Sequence, residues 1–188
     1  MEKIVDENIK IVSLDLDDMG SVDQLCNECE DYFLMVNGTV HTKEDAEEIL
    51  TALPPEKEFK DKFALGVLYK EELIGVIDLI KDYPVIDQWI IGLFLLKKKD
   101  RNKGIGKQVH SALIEMVLKD SGKSLIVGVV KENIKGFKFW ENLGYKTIKE
   151  TEVTLGDKVK KAYVMVLELN FLNKNTPLKA EVDLPASY

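Results

Sequence analysis

Apolar residues recur along this chain with two different periods, and the periods predict which segments are strands and which are helices. Apolar or alternating runs bounded by turn-forming residues predict strands. Apolar residues repeated every three or four positions predict helices. The predicted strands are residues 9–14, 63–69, 73–80, 88–96, 125–130, 145–155 and 159–169. The predicted helices run from Asp17 or Asp18 to about Phe33, from a cap at Thr42 to Pro54, from 107 to 119 and from 134 to 143.

The order of these elements is β-α-α-β-β-β-α-β-α-β-β, which is typical of an α/β protein. The chain has 188 residues, enough for one domain with a sizeable core. We therefore expect residues 1–169 to form a single domain. Residues 170–188 contain two prolines and little periodicity, so we expect a C-terminal tail that docks loosely or contacts a partner chain.

A loop with two glycines joins the predicted strand 88–96 to the predicted helix 107–119. It reads Arg101-Asn102-Lys103-Gly104-Ile105-Gly106. A strand that leads through such a loop into a helix presents free backbone N–H groups and a positive dipole end, which suit an anion, most often a phosphate. Six basic residues crowd this place, namely Lys97, Lys98, Lys99, Arg101, Lys103 and Lys107. The loop therefore predicts a phosphate site, and a plain solvated turn is the alternative.

A second motif follows the predicted strand 125–130 and spans residues 133–145. With both motifs the chain resembles the GNAT superfamily of N-acetyltransferases. The family's phosphate loop reads R/Q-x-x-G-x-G/A, and its next helix reads N-x-x-A-x-x-hydrophobic-Y-x-x-x-G-F/Y. The matching residues are Arg101, Gly104 and Gly106 in the loop, and Asn133, Phe139, Gly144 and Tyr145 in the helix. Gly136 stands in place of the usual Ala, and Trp140 in place of the usual Tyr.

The resemblance implies a GNAT fold, with a mixed central sheet of about seven strands, and a donor site for acetyl-coenzyme A. Strands 88–96 and 125–130 would splay apart to admit the pantetheine arm, and Trp140 would shape the thioester end of its tunnel. The residues implied for the pyrophosphate are Arg101, Asn102, Lys103, Gly104, Ile105, Gly106 and Lys107. Those implied for the arm are the backbone groups of Phe94 and Leu96 and the side chain of Asn133. A backbone N–H near Leu95 would stabilise the negative charge that develops on the acetyl oxygen.

The resemblance also implies an acceptor, the primary amine of a small molecule or a peptide, which attacks directly. Such an amine has a pKa of about 10.4, so a carboxylate should help to remove its proton. Asp78 is the first candidate for this base because it lies in an otherwise apolar strand, where an unpaired carboxylate is costly. A structural carboxylate is the alternative. The residues expected to wall the acceptor pocket are Glu30, Asp31, Tyr32 and Phe33, with a solvated helix end as the alternative. Glu30, Asp31 and Asp87 are the other candidate bases.

Trp140 is the main departure from the family pattern, because an indole cannot act as a proton acid. Either water, Tyr32 or Tyr83 supplies a proton to the leaving thiolate, or the thiolate leaves unprotonated. A non-catalytic acyl-coenzyme A sensor or regulatory module is the third possibility. A dinucleotide oxidoreductase is disfavoured, since the third glycine position is Val109 and no acidic residue ends a following strand at the required distance.

Composition excludes several other classes of protein. The net charge of −7 opposes nucleic acid as a partner. No apolar stretch approaches the ~18 residues that cross a bilayer, and the N-terminus has no signal region, so we expect a cytoplasmic protein that is not membrane-bound. Two Cys and two His at spacings that match no zinc pattern predict that no metal is bound. The oligomeric state, monomer or homodimer, stays open.

Overall fold

The computed structural model describes residues 1–155 and 158–169, and these residues contain eight strands and five α-helices. The strands are β1 (Glu2–Ile4), β2 (Ile9–Ser13), β3 (Lys62–Tyr69), β4 (Glu72–Ile80), β5 (Gln88–Leu96), β6 (Ser124–Val130), β7 (Lys146–Leu155) and β8 (Lys158–Glu168). The helices are α1 (Met19–Asn27), α2 (Glu30–Val36), α3 (Lys43–Thr51), α4 (Ile105–Lys119) and α5 (Ile134–Asn142). The predicted tail, 170–188, lies outside the described residues, as do residues 156 and 157.

All eight strands belong to one mixed sheet with the order β1-β2-β3-β4-β5-β6-β8-β7. The α/β class and the mixed central sheet are therefore confirmed, with one strand more than the sequence predicted. The extra strand, β1, pairs with β2 through only three residues, Glu2 to Ile4. A strand this short, with two of its three residues exposed, has too little alternation for the sequence to reveal it.

The first predicted helix is divided into two. Helix α1 ends at Asn27 and α2 begins at Glu30, because the backbone at Cys29 leaves the helical region at φ −117° and ψ 20°. Val22, Cys26, Cys29 and Phe33 are nevertheless all buried, so the apolar spacing continues across the break. Periodicity alone could not show the division for this reason.

Helices cover both faces of the sheet. Helices α4 and α5 pack on one face, where Val109, Leu113 and Trp140 join a large core that includes Ile77 and Leu79 of β4. Helices α1 to α3 pack on the opposite face, with buried residues that include Cys26 and Cys29, as the helical spacing predicted. Among the described residues, no helix is long and apolar enough to cross a membrane.

Strands β5 and β6 are the parallel pair at the centre of the sheet. Their pairing runs from Gln88↔Ser124 to Ile91↔Val127 and goes no further. At that point β5 contains a bulge, because Leu79 of β4 is opposite Ile91 whereas Asp78 is opposite Leu93, which leaves Gly92 as the additional residue. Beyond Gly92, β5 continues beside β4 and β6 beside β8, and the two parallel strands no longer pair with each other.

Candidate active site

The glycine loop after β5 ends at the N-terminus of α4. Gly104 has φ +84° and is the residue before the first turn of α4, so a side chain there would strain the backbone. The N–H groups of Lys107 and Gln108 both donate to the Gly104 carbonyl. The N–H groups of Ile105 and Gly106 come before these first helical hydrogen bonds, so they are available to an anion.

Glycine is required at Gly106 for a different structural reason than at Gly104. A Cβ atom at Gly106 would lie 3.3 Å from the ring of Phe139, whereas a Cβ at Gly104 would meet nothing within 4 Å. The second glycine of the loop therefore permits α4 to pack closely on α5. The first permits the turn itself.

Most cations around the loop are paired with carboxylates. Lys97 is buried and contacts Glu28 at 2.8 Å and Glu72 at 3.1 Å. The remaining ion pairs are Lys99–Glu72, Arg101–Asp31 and Lys103–Asp100. In the described part of the chain, Lys98 and Lys107 are exposed and form no ion pair. The positive field at the loop is therefore weaker than the count of lysines suggests.

The separation of β5 from β6 leaves a groove lined by backbone groups. The Lys97 N–H donates to the Ile74 carbonyl of β4, so by strand alternation Leu95 also faces β4, while Phe94 and Leu96 face the groove. The direction of Leu96 is supported by its carbonyl, which accepts from Arg101 Nε at 2.7 Å. By the same alternation from Lys131, whose N–H donates to Lys161, Gly128 and Val130 of β6 face the groove from the other side.

A chain that carries amide groups fits this groove. Beyond Ile91 and Val127 the facing edges of β5 and β6 do not pair with each other. The Leu96 carbonyl accepts from Arg101 and the Val130 carbonyl from the Asn133 N–H, so the groups left for a ligand are the other groove-facing N–H and C=O groups of Phe94, Leu96, Gly128 and Val130. The Leu95 N–H, expected from the sequence to face the acetyl oxygen, is instead directed at Val76 of β4.

A cavity of about 380 Å³ lies on the α2 and α3 side of the sheet. Its lining is Tyr32, Phe33, Val36, Asn37, Thr39, Thr42, Asp45, Glu48, Ile49, Ala52, Asp78, Gly92, Leu93, Thr154 and Leu155. Of the predicted wall, Tyr32 and Phe33 line the cavity, whereas Glu30 and Asp31 are exposed on α2 and do not. The three charged lining residues are all acidic, and none of the described lining residues is basic.

Asp78 is placed at the boundary between the cavity and the sheet. Its carboxylate is fully buried and lies 2.6 Å from Lys62 Nζ, and the Lys62 side chain is itself only 2 % exposed. Asp78 is directly opposite Leu93, next to the bulge. Asp78 therefore faces the cavity and also belongs to a buried ion pair, a position compatible with a base and with a structural carboxylate.

Trp140 belongs to an aromatic cluster beside the groove. Its ring makes edge contacts with Phe94, His110, Phe139 and Tyr145, at centroid distances of 4.9 to 5.8 Å. His110 Nε2 lies 3.0 Å from the Tyr145 hydroxyl. Burial lowers the pKa of His110 to about 4 and raises that of Tyr145 well above its ordinary value. The sequence analysis did not select His110 as a site residue. Its position on the apolar face of the predicted helix, next to Val109, could have indicated that it is buried.

The two tyrosines considered as proton donors are placed differently. Tyr32 lines the cavity, and burial raises its pKa to about 12, so its hydroxyl gives up a proton poorly at neutral pH. Tyr83 precedes β5, where its N–H donates to the Gln88 carbonyl. That is the end of β5 opposite the glycine loop, and Tyr83 does not line the cavity.

Asn133 caps α5 and lies next to Gly136, the glycine that replaces the family's alanine. The Asn133 Oδ1 atom accepts from the Gly136 N–H at 2.8 Å. A Cβ atom at Gly136 would lie 2.4 Å from Asn133 Nδ2, so the folded-over side chain excludes alanine without a shift. The oxygen of Asn133 is therefore engaged in the helix, and its NH₂ group is the part that can reach a ligand.

The chain matches the family model of the acetyltransferase (GNAT) domain over residues 11–162. The glycine loop at the start of α4 and the separated parallel strands are found within these residues. The protein is therefore a member of the GNAT family of acetyltransferases.

Solved structures agree with this fold. An acetyltransferase from Thermus thermophilus is 19% identical, with a TM-score of 0.68, over 89% of this chain and 100% of that one. The Salmonella typhimurium enzyme that modifies the N-terminal serine of ribosomal protein L7/L12 is 11% identical, with a TM-score of 0.77, over 90% and 100%. The microcin C7 self-immunity acetyltransferase MccE, in complex with acetyl-CoA and AMP, is 16% identical, with a TM-score of 0.70, over 87% and 94%. No curated protein matches the chain in sequence.

Proposed function

We propose that this enzyme transfers an acetyl group from acetyl-coenzyme A to the primary amine of a small molecule or a peptide, by direct attack. One observation carries the proposal. The groove between β5 and β6 and the acidic cavity meet at the bulge, because Gly92 and Leu93 line the cavity and also mark where β5 leaves β6. A donor in the groove and an acceptor in the cavity would therefore be adjacent.

The donor site fits the groups that coenzyme A carries. The open N–H groups at the start of α4 suit the pyrophosphate, with Asn102 to Lys107 supplying the loop and Arg101 fixing its start. The groove-facing groups of Phe94, Leu96, Gly128 and Val130 suit the amides of the pantetheine arm. Acetyl-coenzyme A supplies the activated acetyl group. The Phe94 N–H is the groove-facing donor nearest the bulge, so we assign to it, rather than to Leu95, the hydrogen bond to the acetyl oxygen.

The acceptor site fits a cationic amine. Asp45 and Glu48 give the cavity a negative field that attracts an ammonium group, whereas the charge of Asp78 is balanced by Lys62. Asp78 is the carboxylate beside the bulge, and we assign to it the removal of the amine proton, directly or through water. Lys62 Nζ, 2.6 Å away, balances the charge of this buried carboxylate.

Direct attack is favoured over an acyl-enzyme intermediate. Neither cysteine lines the cavity, and both are fully buried. Burial raises the pKa of Cys26 to about 12, so a thiolate is not available there at neutral pH.

The test is the release of free thiol from acetyl-coenzyme A in the presence of a panel of amines. The panel contains small primary amines, peptides with free N-termini and lysine-containing peptides. Each small amine is paired with the alcohol of the same skeleton. We expect release with at least one primary amine, gain of one acetyl group in its mass, and none with the matched alcohol. Tight binding of coenzyme A without turnover on any amine would contradict the transferase and favour the acyl-coenzyme A sensor.

A further inference from the structure

Arg101 contacts both halves of the proposed active site. Its Nε donates to the Leu96 carbonyl at 2.7 Å, on the edge of β5 that faces the donor groove. Its two terminal nitrogens donate to the two oxygens of Asp31, at 2.6 and 3.1 Å. Asp31 lies in the first turn of α2. The guanidinium therefore connects the start of the phosphate loop to a helix of the acceptor cavity.

The contact is reinforced by its neighbours. Lys97, immediately after β5, forms an ion pair with Glu28 at 2.8 Å, and the Cys29 thiol lies 3.5 Å from the Leu96 carbonyl. The segment between α1 and α2 is thus attached to the end of β5 at several successive residues. The next residues of α2, Tyr32 and Phe33, line the cavity. A displacement of the loop would therefore be transmitted to the cavity wall within a few residues.

The Asp31–Arg101 pair has the features of a strong ion pair. Its geometry is bidentate, with two charge-assisted hydrogen bonds. Burial alone would raise the pKa of the Asp31 carboxyl, but Arg101 outweighs it and the pKa lies below its ordinary value. Exposed single-contact pairs contribute little, whereas bidentate pairs within a network of charges contribute more. Both terminal nitrogens of the Arg101 guanidinium donate to Asp31. We therefore expect Arg101 to hold the start of the loop in place rather than to bind a phosphate.

We propose that the Asp31–Arg101 pair couples the donor site to the acceptor cavity, so that coenzyme A bound at the loop also orders α2. Asp31 and Arg101 are then positioning residues. Coenzyme A should then raise the affinity for an acceptor held against α2. By linkage, that acceptor raises the affinity for coenzyme A by the same factor. The inference rests on the donor site of the proposed function.

Hydrogen exchange of the whole protein, with and without coenzyme A, tests the coupling and needs no acceptor. In the wild type, amides of residues 102–107 should slow on binding, which reports the donor site. Amides of α2 should slow as well, by about fivefold or more, the lower end of typical coupling between sites. In Asp31→Asn the slowing should persist at 102–107 and vanish in α2. Asp31→Glu, which keeps the carboxylate, should recover part of it.

Glu30→Gln is the matched control. Glu30 is the neighbouring carboxylate in the same helical turn, is exposed and forms no ion pair within the described residues. This variant removes the same charge near the helix N-terminus, so it should behave as the wild type does.

Three results would overturn the inference. If amide exchange in the wild type slows at 102–107 but not in α2, the coupling is refuted and the donor site is still supported. Equal slowing of α2 in Asp31→Asn and Glu30→Gln removes the role of the pair. Slowing at neither segment removes the donor site and the coupling together. If Asp31→Asn does not fold, the comparison of the wild type with Asp31→Glu replaces it. Full slowing of α2 amides in the wild type and weaker slowing in Asp31→Glu supports the role of the pair. Any other pattern contradicts it.

Discussion

Asp78 lines the cavity proposed for the acceptor and also contacts Lys62, so its substitution tests a role in catalysis against a role in stability. The effect of a substitution on the reaction rate depends on pH if the carboxylate is a base, and is the same at every pH if the carboxylate is structural. The amine acceptor becomes neutral by itself as the pH rises towards ~10.4, and a base is then needed less.

We therefore predict that Asp78→Asn lowers kcat/KM most near neutral pH and progressively less at alkaline pH. The measurement is a pH–rate profile with the amine found by the thiol-release panel. Glu48→Gln is the control, since it removes a carboxylate from the same cavity but from α3. It should weaken acceptor binding by a factor that changes little with pH. A loss in Asp78→Asn that is equal at every pH would assign Asp78 to structure.

His110 is held neutral among aromatic rings, so it links stability to pH. Its pKa in the folded protein, about 4, lies below its ordinary value of 6.5. The unfolded chain therefore binds the proton first as the pH falls. The contribution of neutral His110 to the free energy of unfolding is therefore fully present above pH 6.5 and is lost as the pH falls towards 4.

We predict that the free energy of unfolding decreases between pH 6.5 and 4, with His110 contributing up to about 3 kcal/mol of the decrease. Urea unfolding at several pH values measures it. In His110→Gln, which keeps a polar group beside Tyr145 but does not titrate, the decrease should be smaller. An unchanged slope in His110→Gln would show that the acid sensitivity comes from other groups.

At the scale of elements, the loop and α4 have two glycines with different functions. Gly104 has a positive φ with open space around it, and Gly106 packs against Phe139. The family pattern requires Gly at the first position and allows Gly or Ala at the second, and the three-dimensional surroundings show what each position does in this chain.

We predict that Gly104→Ala mainly weakens coenzyme A binding, by roughly tenfold, because a left-handed backbone costs an ordinary residue ~1–2 kcal/mol and the loop would relax away from it. Gly106→Val, whose branched side chain must enter the space of the Phe139 ring, should mainly lower stability, by about 1 kcal/mol or more, through overpacking. Calorimetry with coenzyme A and urea unfolding distinguish the two effects. The reverse assignment of the losses would refute this division.

The strands and helices that the sequence predicted well are those whose burial follows one period. Strand β5 and helix α4 are examples, because the strand has a long apolar run and the helix an apolar stripe. The division at Cys29 was not predictable from periodicity, because its side chain stays buried while its backbone turns. Strand β1 was missed because pairing, and not burial, defines it.

At the scale of the whole molecule, charge pairing could not be predicted from the sequence at all. Lys97 is 25 residues from Glu72, and Arg101 is 70 residues from Asp31. Only the fold brings these charges together. The sequence located the candidate donor site through two local motifs. The acceptor cavity is different, because its lining comes from α2, α3, β4, β5 and β7, which are far apart along the chain.

Because of these pairs, we predict that the lysines near the loop contribute unequally to coenzyme A binding. Lys98→Gln should weaken binding a few-fold at low salt, whereas Lys99→Gln, the matched neighbour, should change it little because Glu72 already balances Lys99. Binding of the wild type should weaken moderately as salt rises, since exposed charges are screened over ~8–10 Å. Titrations at low and high salt measure both effects. Equal losses in the two variants would show that the ion pairs open when coenzyme A binds.

The edges of the sheet determine where another chain could pair with it. β1 is only three residues long, and β7 carries Lys146, Lys149, Glu150 and Glu152 together with a register shift between Thr147 and Lys149. Short, charged and irregular edge strands prevent edge-to-edge aggregation. Within the described sheet, β5 and β6 also leave backbone groups unpaired with each other beyond Ile91↔Val127. The fold thus discourages strand addition from outside and reserves backbone pairing for a ligand that enters the interior.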